Sequence, residues 1–353
     1  MYISRLSIEN LRLIEKLEIE PTPRLNIIYG KNGEGKTSIL EAIYLLVRNR
    51  SFRKTKTINL IRHQQLALNI QAMLNNDSGQ QQTISLTKSN KGSNLILNYK
   101  RQNRLLDVAF SIPIGIIRPN IHKLIEDNPI QRRKLMDWGV FHVEQQYAIT
   151  IKDYNHIVNQ RNQSLKDNKK LFEIWDNQLI YISNQITKRR QENIEQLEKY
   201  INQYQKELFP KYSISIEYQK GWQKEMSYSE SLKYNLKKDI QLGYTSCGPH
   251  RADMILKANG KPIKEIFSSG EIKLLGALLV ISNLINIKGL TLERPILLCD
   301  DLDSEIDNIN LQKIIDIIDN QSFQTFMTTI HEKSSTNKKY GLSMFHVEHG
   351  LIV

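Results

Sequence analysis

Eight residues, Gly30-Lys31-Asn32-Gly33-Glu34-Gly35-Lys36-Thr37, constrain this chain more than any other feature. They follow an apolar run, Leu25–Tyr29, and open a stretch in which Ile39, Leu40, Ile43, Leu46 and Val47 share one helical face. Three glycines let a backbone wrap closely enough for its N–H groups to converge on phosphate oxygens. The N-terminus of the following helix adds a partial positive charge. The spacing G-x-x-x-x-G-K-[ST] between a strand and a helix is that of a phosphate-binding loop. Gly30, Lys31, Asn32, Gly33, Glu34, Gly35, Lys36, Thr37 and Ser38 are therefore the expected nucleotide contacts. Lys36 is expected at the β- and γ-phosphates, and the Thr37 hydroxyl as a ligand of Mg²⁺. An ordinary glycine-rich turn is the bland alternative, and the strand-to-helix context weighs against it.

Matching acids stand far downstream. Ile296-Leu297-Leu298-Cys299 has the pattern of a buried strand and ends in Asp300-Asp301. One acid at such a strand end can hold hydrated Mg²⁺ while the next polarises a water for attack on a γ-phosphate. Upstream, Ser268-Ser269-Gly270-Glu271 precedes an apolar helix, Ile272–Ile285. Ser-x-x-Glu is a capping box, and a capped, glycine-containing helix start can also present N–H groups to a phosphate. Downstream, the run Phe323–Met327 leads through Thr328-Thr329-Ile330 to His331.

Between these motifs the character of the chain changes. The first third reads as strands, with alternation at Tyr2–Ile8 and a small antiparallel meander across Leu66–Tyr99. From Asp127-Asn128-Pro129, a helix-start signal, to about Leu208 the spacing is helical, with no further proline. Two long, mostly exposed antiparallel helices are expected there, turning near Lys166–Lys170. The expected organisation is a head, 1–120, a helical lobe inserted at 121–241, and the rest of the head, 242–353.

The 353 residues carry 49 Lys and Arg against 37 Asp and Glu, a net +12 that favours polyanionic partners. Two cysteines cannot build a disulfide framework. The N-terminus lacks the pattern of a signal peptide, and the apolar stretch Leu274–Ile285 is short for a membrane span. The expectation is a cytoplasmic chain with no membrane partner. Basic residues cluster after the first helix (Arg48, Arg50, Arg53, Lys54, Lys56, Arg62), at the opening of the lobe (Arg132, Arg133, Lys134) and within it (Lys188, Arg189, Arg190). None shows aromatic interleaving for base stacking beyond the single Phe52, so phosphate contacts without sequence readout are expected. Each cluster alone could equally be a solvated face.

The order of phosphate loop, Ser-x-Gly-Glu signature, Asp-Asp strand, Ser304-Glu305-Ile306-Asp307 and strand-end histidine resembles the ATP-binding-cassette ATPases related to SMC proteins. The chain is most similar to the RecF family. The likeness includes Ile8-Glu9-Asn10-Leu11-Arg12, Leu40-Glu41-Ala42-Ile43, Ser51-Phe52-Arg53, the Pro129–Asp137 segment and Gly248-Pro249-His250-Arg251-Ala252-Asp253. The resemblance implies an α/β fold: a P-loop ABC-type ATPase head of mixed sheet with an antiparallel β subdomain, plus an inserted antiparallel helical lobe. It implies ATP and Mg²⁺ as cofactors, with Thr37 and Asp300 at the metal, Asp301 as the water-activating carboxylate and His331 sensing the γ-phosphate. Ser268, Ser269, Gly270 and Glu271 would act in trans across an ATP-dependent homodimer, with Asp307 near its interface. The implied activity is weak, DNA-stimulated ATP hydrolysis in DNA replication, recombination, repair and the SOS response. The implied partners are double-stranded or gapped DNA, mediator proteins of the RecR and RecO type, and the recombinase, all at the bacterial nucleoid. Arg48, Arg50, Arg53, Lys54, Arg132 and Arg133 are the candidates for DNA. Glu271 replaces the family's usual Gln, Asp303 stands at an expected apolar position, and no glutamine loop is evident near Arg118-Pro119-Asn120. These departures leave open a nucleotide-gated scaffold with negligible hydrolysis. A transporter ATP subunit is a further alternative, disfavoured by the basic insertion and the wide separation of Lys36 from Ser268.

Overall fold

The computed structural model describes residues 1–76, 79–102, 105–167, 172–291, 293–330 and 342–353. It divides the chain into two compact units, Met1–Ile121 with Lys273–Val353, and His122–Ile272.

The first unit holds two sheets. Strands Tyr2–Leu11, Ile14–Ile19, Ala67–Asn75, Gln81–Ser89, Gly92–Leu97 and Lys100–Arg101 form an antiparallel sheet in which the first strand lies between the second and third. Alternation explains it: Leu6, Ile8, Leu11, Leu68, Ile70, Leu74, Ile84 and Leu86 are buried, while residues between them face outward. The second sheet has the order Leu351–Ile352, Ser343–Glu348, Leu25–Tyr29, Gln324–Thr329, Ile296–Cys299, Ile114–Ile117, parallel except for the Leu351–Ile352 edge. Its central strands are buried throughout, as expected of a parallel sheet covered on both faces. The Lys36–Arg48 helix shares one core with both sheets, through Ile39, Leu40, Ile43 and Leu46 against Ile8, Ile28, Leu298, Phe326 and Val347, among others.

The strand Gln324–Thr329 is buried despite its polar composition. Gln324 satisfies both backbone groups of Ile3, accepting from its N–H and donating to its carbonyl, each at 2.7 Å. The polar side chain thus joins the end of one sheet to the other without an orphaned group. Helix Ser269–Thr291 is long and apolar enough to cross a membrane by composition, more so than the sequence pattern suggested. Its apolar window is 78% buried within the protein, which marks a core helix.

In the second unit, helices Pro129–Val143, Tyr147–Lys166 and Phe172–Leu208 replace the two expected long helices. Helix Tyr228–Leu242 and strands Ile214–Gln219, Asp253–Ala258 and Lys261–Pro262 complete it. The second boundary falls at Ile272 rather than at 241. The reason is pairing: Asp253–Ala258 runs antiparallel to Ile214–Gln219, which ties the segment after the last helix into this unit. The polar helix faces are not simply solvated. Arg161 is fully buried between Asp176 and Asp239, at 2.9 Å from each, and Arg190 makes a bidentate pair with Asp137 at 2.8 and 3.0 Å.

Candidate nucleotide-binding site

Four strand ends converge on one crevice. The phosphate loop leaves the C-terminal end of Leu25–Tyr29, and Thr328-Thr329 ends the neighbouring strand. Asp300-Asp301 follows the next, and Arg118 the last. The mouth of a parallel sheet, at the carboxyl ends of its strands, is where α/β proteins place ligands.

Gly33 and Gly35 adopt φ of 88° and 108°, which only glycine reaches without strain. Gly35 is the N-cap of the Lys36–Arg48 helix and supplies no side-chain cap, and no acid sits in the first turn. The helix therefore begins with backbone N–H groups and a dipole end available to an anion. Lys36 is buried, and its Nζ donates to Gly30 O at 2.7 Å and Lys31 O at 2.9 Å. Two of its three protons hold the loop together, and the third remains for a phosphate oxygen. The loop lines a cavity of about 290 Å³ with Arg12, Leu13, Ser38, Arg53 and Asp301.

The acids belong to this cavity. Thr37 hydrogen-bonds to the carboxylate of Asp300, whose pKa burial raises above the usual carboxylate range, with nearby Asp301 adding to the shift. Thr328 hydroxyl lies 3.1 Å from Asp300 Oδ1 and 3.2 Å from Asp301 Oδ1, and accepts from the Asp301 N–H at 2.9 Å. Asp301 sits at φ 48°, a left-handed turn that swings its carboxylate out of strand geometry. The oxygen donors of Thr37 and Asp300 suit Mg²⁺, which takes one or two protein ligands and completes its shell with phosphate and water. Among the described residues there is no cluster of three His, Cys, Asp or Glu that could cage a metal by itself.

Several residues escaped the sequence reading. Thr328 bridges both acids because its strand lies between the loop strand and the Asp-Asp strand. Arg12 reaches the cavity from the antiparallel sheet, held by Glu41 at 2.5 and 3.1 Å, and Glu41 also accepts from Ser51. Arg118 donates to Phe52 O at 2.9 Å and lies over the Phe52 ring, its pKa lowered by burial despite the attraction of Asp300. Asp303, out of place on pattern grounds, accepts from Thr329 at 2.5 Å.

The remaining expected site residues divide sharply. Arg53, a DNA candidate, instead lines the phosphate-loop cavity. Arg50 and Lys54 are exposed, whereas Arg48 is half-buried, with a pKa lowered by that burial. Arg132 is a correction: it is buried, paired in bidentate fashion with Asp253 at 2.8 and 3.0 Å, and bonded to the carbonyls of Ile125 and Asp127. Arg133 donates to Ala252 O at 2.6 Å. Arg189 is held by Glu144 and Arg190 by Asp137, so of that cluster only Lys188 is an exposed side chain. Ser268, Ser269 and Gly270 are exposed, and the Ser268 N–H and hydroxyl both donate to Glu271 Oε2 at 2.8 Å. A glutamate thus performs the capping that this position requires. Asp307 caps the Asn308–Asn320 helix through the Asn310 N–H, which holds its carboxyl below the usual range. His331 lies outside the described residues.

A larger cleft, about 470 Å³, lies in the second unit against Lys188, Glu192, Lys220 and Trp222. It mixes both charges, and the helix that starts at its edge is already capped by Ser227, so chemistry rather than volume selects the site at the loop.

Comparison with known proteins agrees with this geometry. The RecF/RecN/SMC N terminal domain family matches residues 2–353. A DNA replication and repair protein RecF of Pseudoalteromonas translucida is 34% identical over 100% of both chains. The chain belongs to the RecF family. The RecF relative of Cellvibrio japonicus is also 34% identical, over 100% of this chain and 99% of its own. A solved structure described as the recombination mediator protein RecF-ATP in the RecFOR pathway superposes with a TM-score of 0.86 at 25% identity. It covers 100% of this chain and 97% of that one. A Smc head bound to the C-winged helix domain of ScpA shares the fold, with a TM-score of 0.60 at 17% identity and coverage of 100% and 98%. The fold is that of the RecF and SMC ABC-type ATPase heads.

Proposed function

We propose that this RecF-family chain is a DNA replication and repair ATPase that dimerises with ATP and promotes recombinase loading at gapped DNA. The observation that carries the reading is the hydrogen-bonded series Thr37, Asp300, Thr328, Asp301 at the mouth of the phosphate loop. It joins the groups that bind a nucleotide to the groups that would activate water.

In this reading the loop N–H groups and Lys36 hold the β- and γ-phosphates, with the arginines Arg12 and Arg53 adding positive charge to the same cavity. Thr37 and Asp300 would hold Mg²⁺, which when bound neutralises and orients the phosphate oxygens. Asp301 accepts a proton from the attacking water, and Thr328 keeps both carboxylates in place. Turnover is slow and stimulated by DNA. His331 senses the γ-phosphate. The exposed start of the Ser269–Thr291 helix, with Ser268, Ser269, Gly270 and Glu271, supports its offering to a second copy. Asp307 lies at the edge of that interface. ATP then acts as a removable bridge, because contacts made through its γ-phosphate disappear on hydrolysis. Arg50, Lys54 and Arg133 contact DNA phosphates without reading sequence. Proteins of the RecR and RecO type and the recombinase are the partners, in the bacterial cytoplasm at the nucleoid. Full-length membership of the RecF family leaves the transporter alternative without support.

Lys36→Ala tests the reading. It removes the charge at the phosphates, and ATP-dependent dimerisation measured by light scattering is expected to vanish. A variant that dimerises with ATP as the wild type does would refute the assignment.

A further inference from the structure

One residue of the phosphate loop works against the loop's own chemistry. Glu34 puts a carboxylate in a turn whose glycines and helix N-terminus favour anions. Left to rotate, it would compete with phosphate for the same N–H groups and for Lys36.

The structure shows where that carboxylate goes. Strands Ser343–Glu348 and Leu351–Ile352 are joined by His349-Gly350, at φ 48° and 80°, the two left-handed positions of a tight type I′ hairpin turn. The His349 backbone N–H donates to Glu34 Oε2, and His349 Nδ1 lies 3.2 Å from the same oxygen. Gly350 N–H donates to the Glu34 carbonyl at 2.9 Å. Neighbouring contacts leave the turn little room to shift. A Cβ on Gly350 would lie 2.9 Å from Leu13 O, and one on Gly30 would lie 2.3 Å from Val347 O. The Tyr29 ring, at the end of the loop strand, stacks on His346 with centroids 4.9 Å apart. The hairpin therefore meets the loop at its start and its middle, and also meets the Leu13 turn that lines the same cavity.

We infer that the His349-Gly350 turn is a positioning element of the nucleotide site, which draws the Glu34 carboxylate out of the phosphate cradle and fixes the loop backbone around it. The inference rests on the reading that the loop binds ATP. The turn that holds the Glu34 carboxylate also uses its carbonyl, so side chain and backbone are held together.

Affinity for a fluorescent ATP analogue, measured with Mg²⁺ on the full chain, tests this. The set is wild type, Lys36→Ala, His349→Ala, Gly350→Ala and the double variant His349→Ala with Glu34→Gln, each with a thermal melt. The His349 side chain is 83% exposed, so its loss should leave the melt unchanged. His349→Ala is expected to weaken binding about two- to fivefold, the scale of a single exposed polar contact. Gly350→Ala should weaken it further, because the turn must move away from Leu13. Glu34→Gln should recover most of the His349→Ala loss, since an uncharged amide does not compete with phosphate. A purely structural turn would show no such recovery. Unchanged affinity in His349→Ala and Gly350→Ala, with Lys36→Ala deficient, would overturn the inference while leaving the nucleotide site standing. A loss that Glu34→Gln fails to recover would overturn it too. Wild-type binding by Lys36→Ala would remove the nucleotide reading and this inference together.

Discussion

Replacing Arg132 by methionine separates two roles open to an arginine at the start of the helical lobe. Its side chain is 7% exposed, against 11% for its partner Asp253. Besides the bidentate pair, it donates to Leu124 O at 3.4 Å and to Ile125 O and Asp127 O at 2.8 Å each. Methionine keeps much of the bulk but strands a buried carboxylate and these carbonyls. Breaking a buried pair from one side costs about 3–5 kcal/mol. For a unit of this size each kcal/mol lowers Tm by about 2–4 °C, so a drop of roughly 6–20 °C is expected. Circular dichroism melts measure it. The double variant Arg132→Met with Asp253→Leu should recover most of the loss, because an apolar pair of similar volume leaves no stranded charge. A phosphate-contacting arginine would behave in the opposite way, with Tm kept and the DNA salt slope reduced by about one. That second pattern would refute the structural role assigned to Arg132.

Asp301→Asn keeps the shape of the acid and loses the base, so ATP should still bind and support dimerisation while phosphate release falls to background; normal turnover would place the catalytic carboxylate elsewhere. Arg50→Ala with Lys54→Ala should flatten the salt dependence of DNA affinity by about two phosphates' worth, roughly 1.8 in slope, with ATP affinity in the absence of DNA unchanged. An unaltered slope would make the cluster a solvated face. His250, whose ring Nδ1 lies 2.5 Å from the Tyr154 hydroxyl, has its pKa pushed down to about 4, chiefly by burial. The unfolded chain then binds the extra proton between about pH 6.5 and 4, so stability present at neutral pH is lost on acidification, by about 2 kcal/mol from pH 7 to pH 5. Urea titrations of the wild type and His250→Gln should show that pH dependence only in the wild type.

Local motifs were legible in the sequence because their chemistry is built from neighbours. The Gly30–Thr37 spacing fixes a turn and a helix start within eight residues, and the Ser268–Glu271 capping box closes on itself in the structure. The burial of Ile296–Cys299 and the exit into Asp300-Asp301 follow from an apolar run that ends in acids. What depended on strand order could not be read this way. Thr328 is one threonine among many until its strand is seen between the loop strand and the acid strand. Charge runs misled for a related reason. Arg132, Arg189 and Arg190 look like a solvated face, yet each meets a carboxylate distant in sequence, at Asp253, Glu144 and Asp137. Their partners are set by helix packing, which periodicity alone does not specify. The lobe's second boundary was misplaced because the pairing of Asp253–Ala258 with Ile214–Gln219 reaches across an entire helix.

The place of the Leu25–Tyr29 strand has a consequence for biosynthesis. Its two neighbours in the sheet, Gln324–Thr329 and Ser343–Glu348, are made long after it. At about 5–20 residues per second, roughly 300 residues of synthesis separate the strand from its first partner, some 15–60 s. Throughout that interval an apolar strand with both edges unpaired is attached to a loop that has no sheet to hold its shape. The helical lobe can complete its own pairing on the ribosome, since all its strands lie within His122–Ile272. The phosphate loop therefore gains its flanking strands only after the helical lobe has been made, so the lobe can be native while the nucleotide site is still unformed.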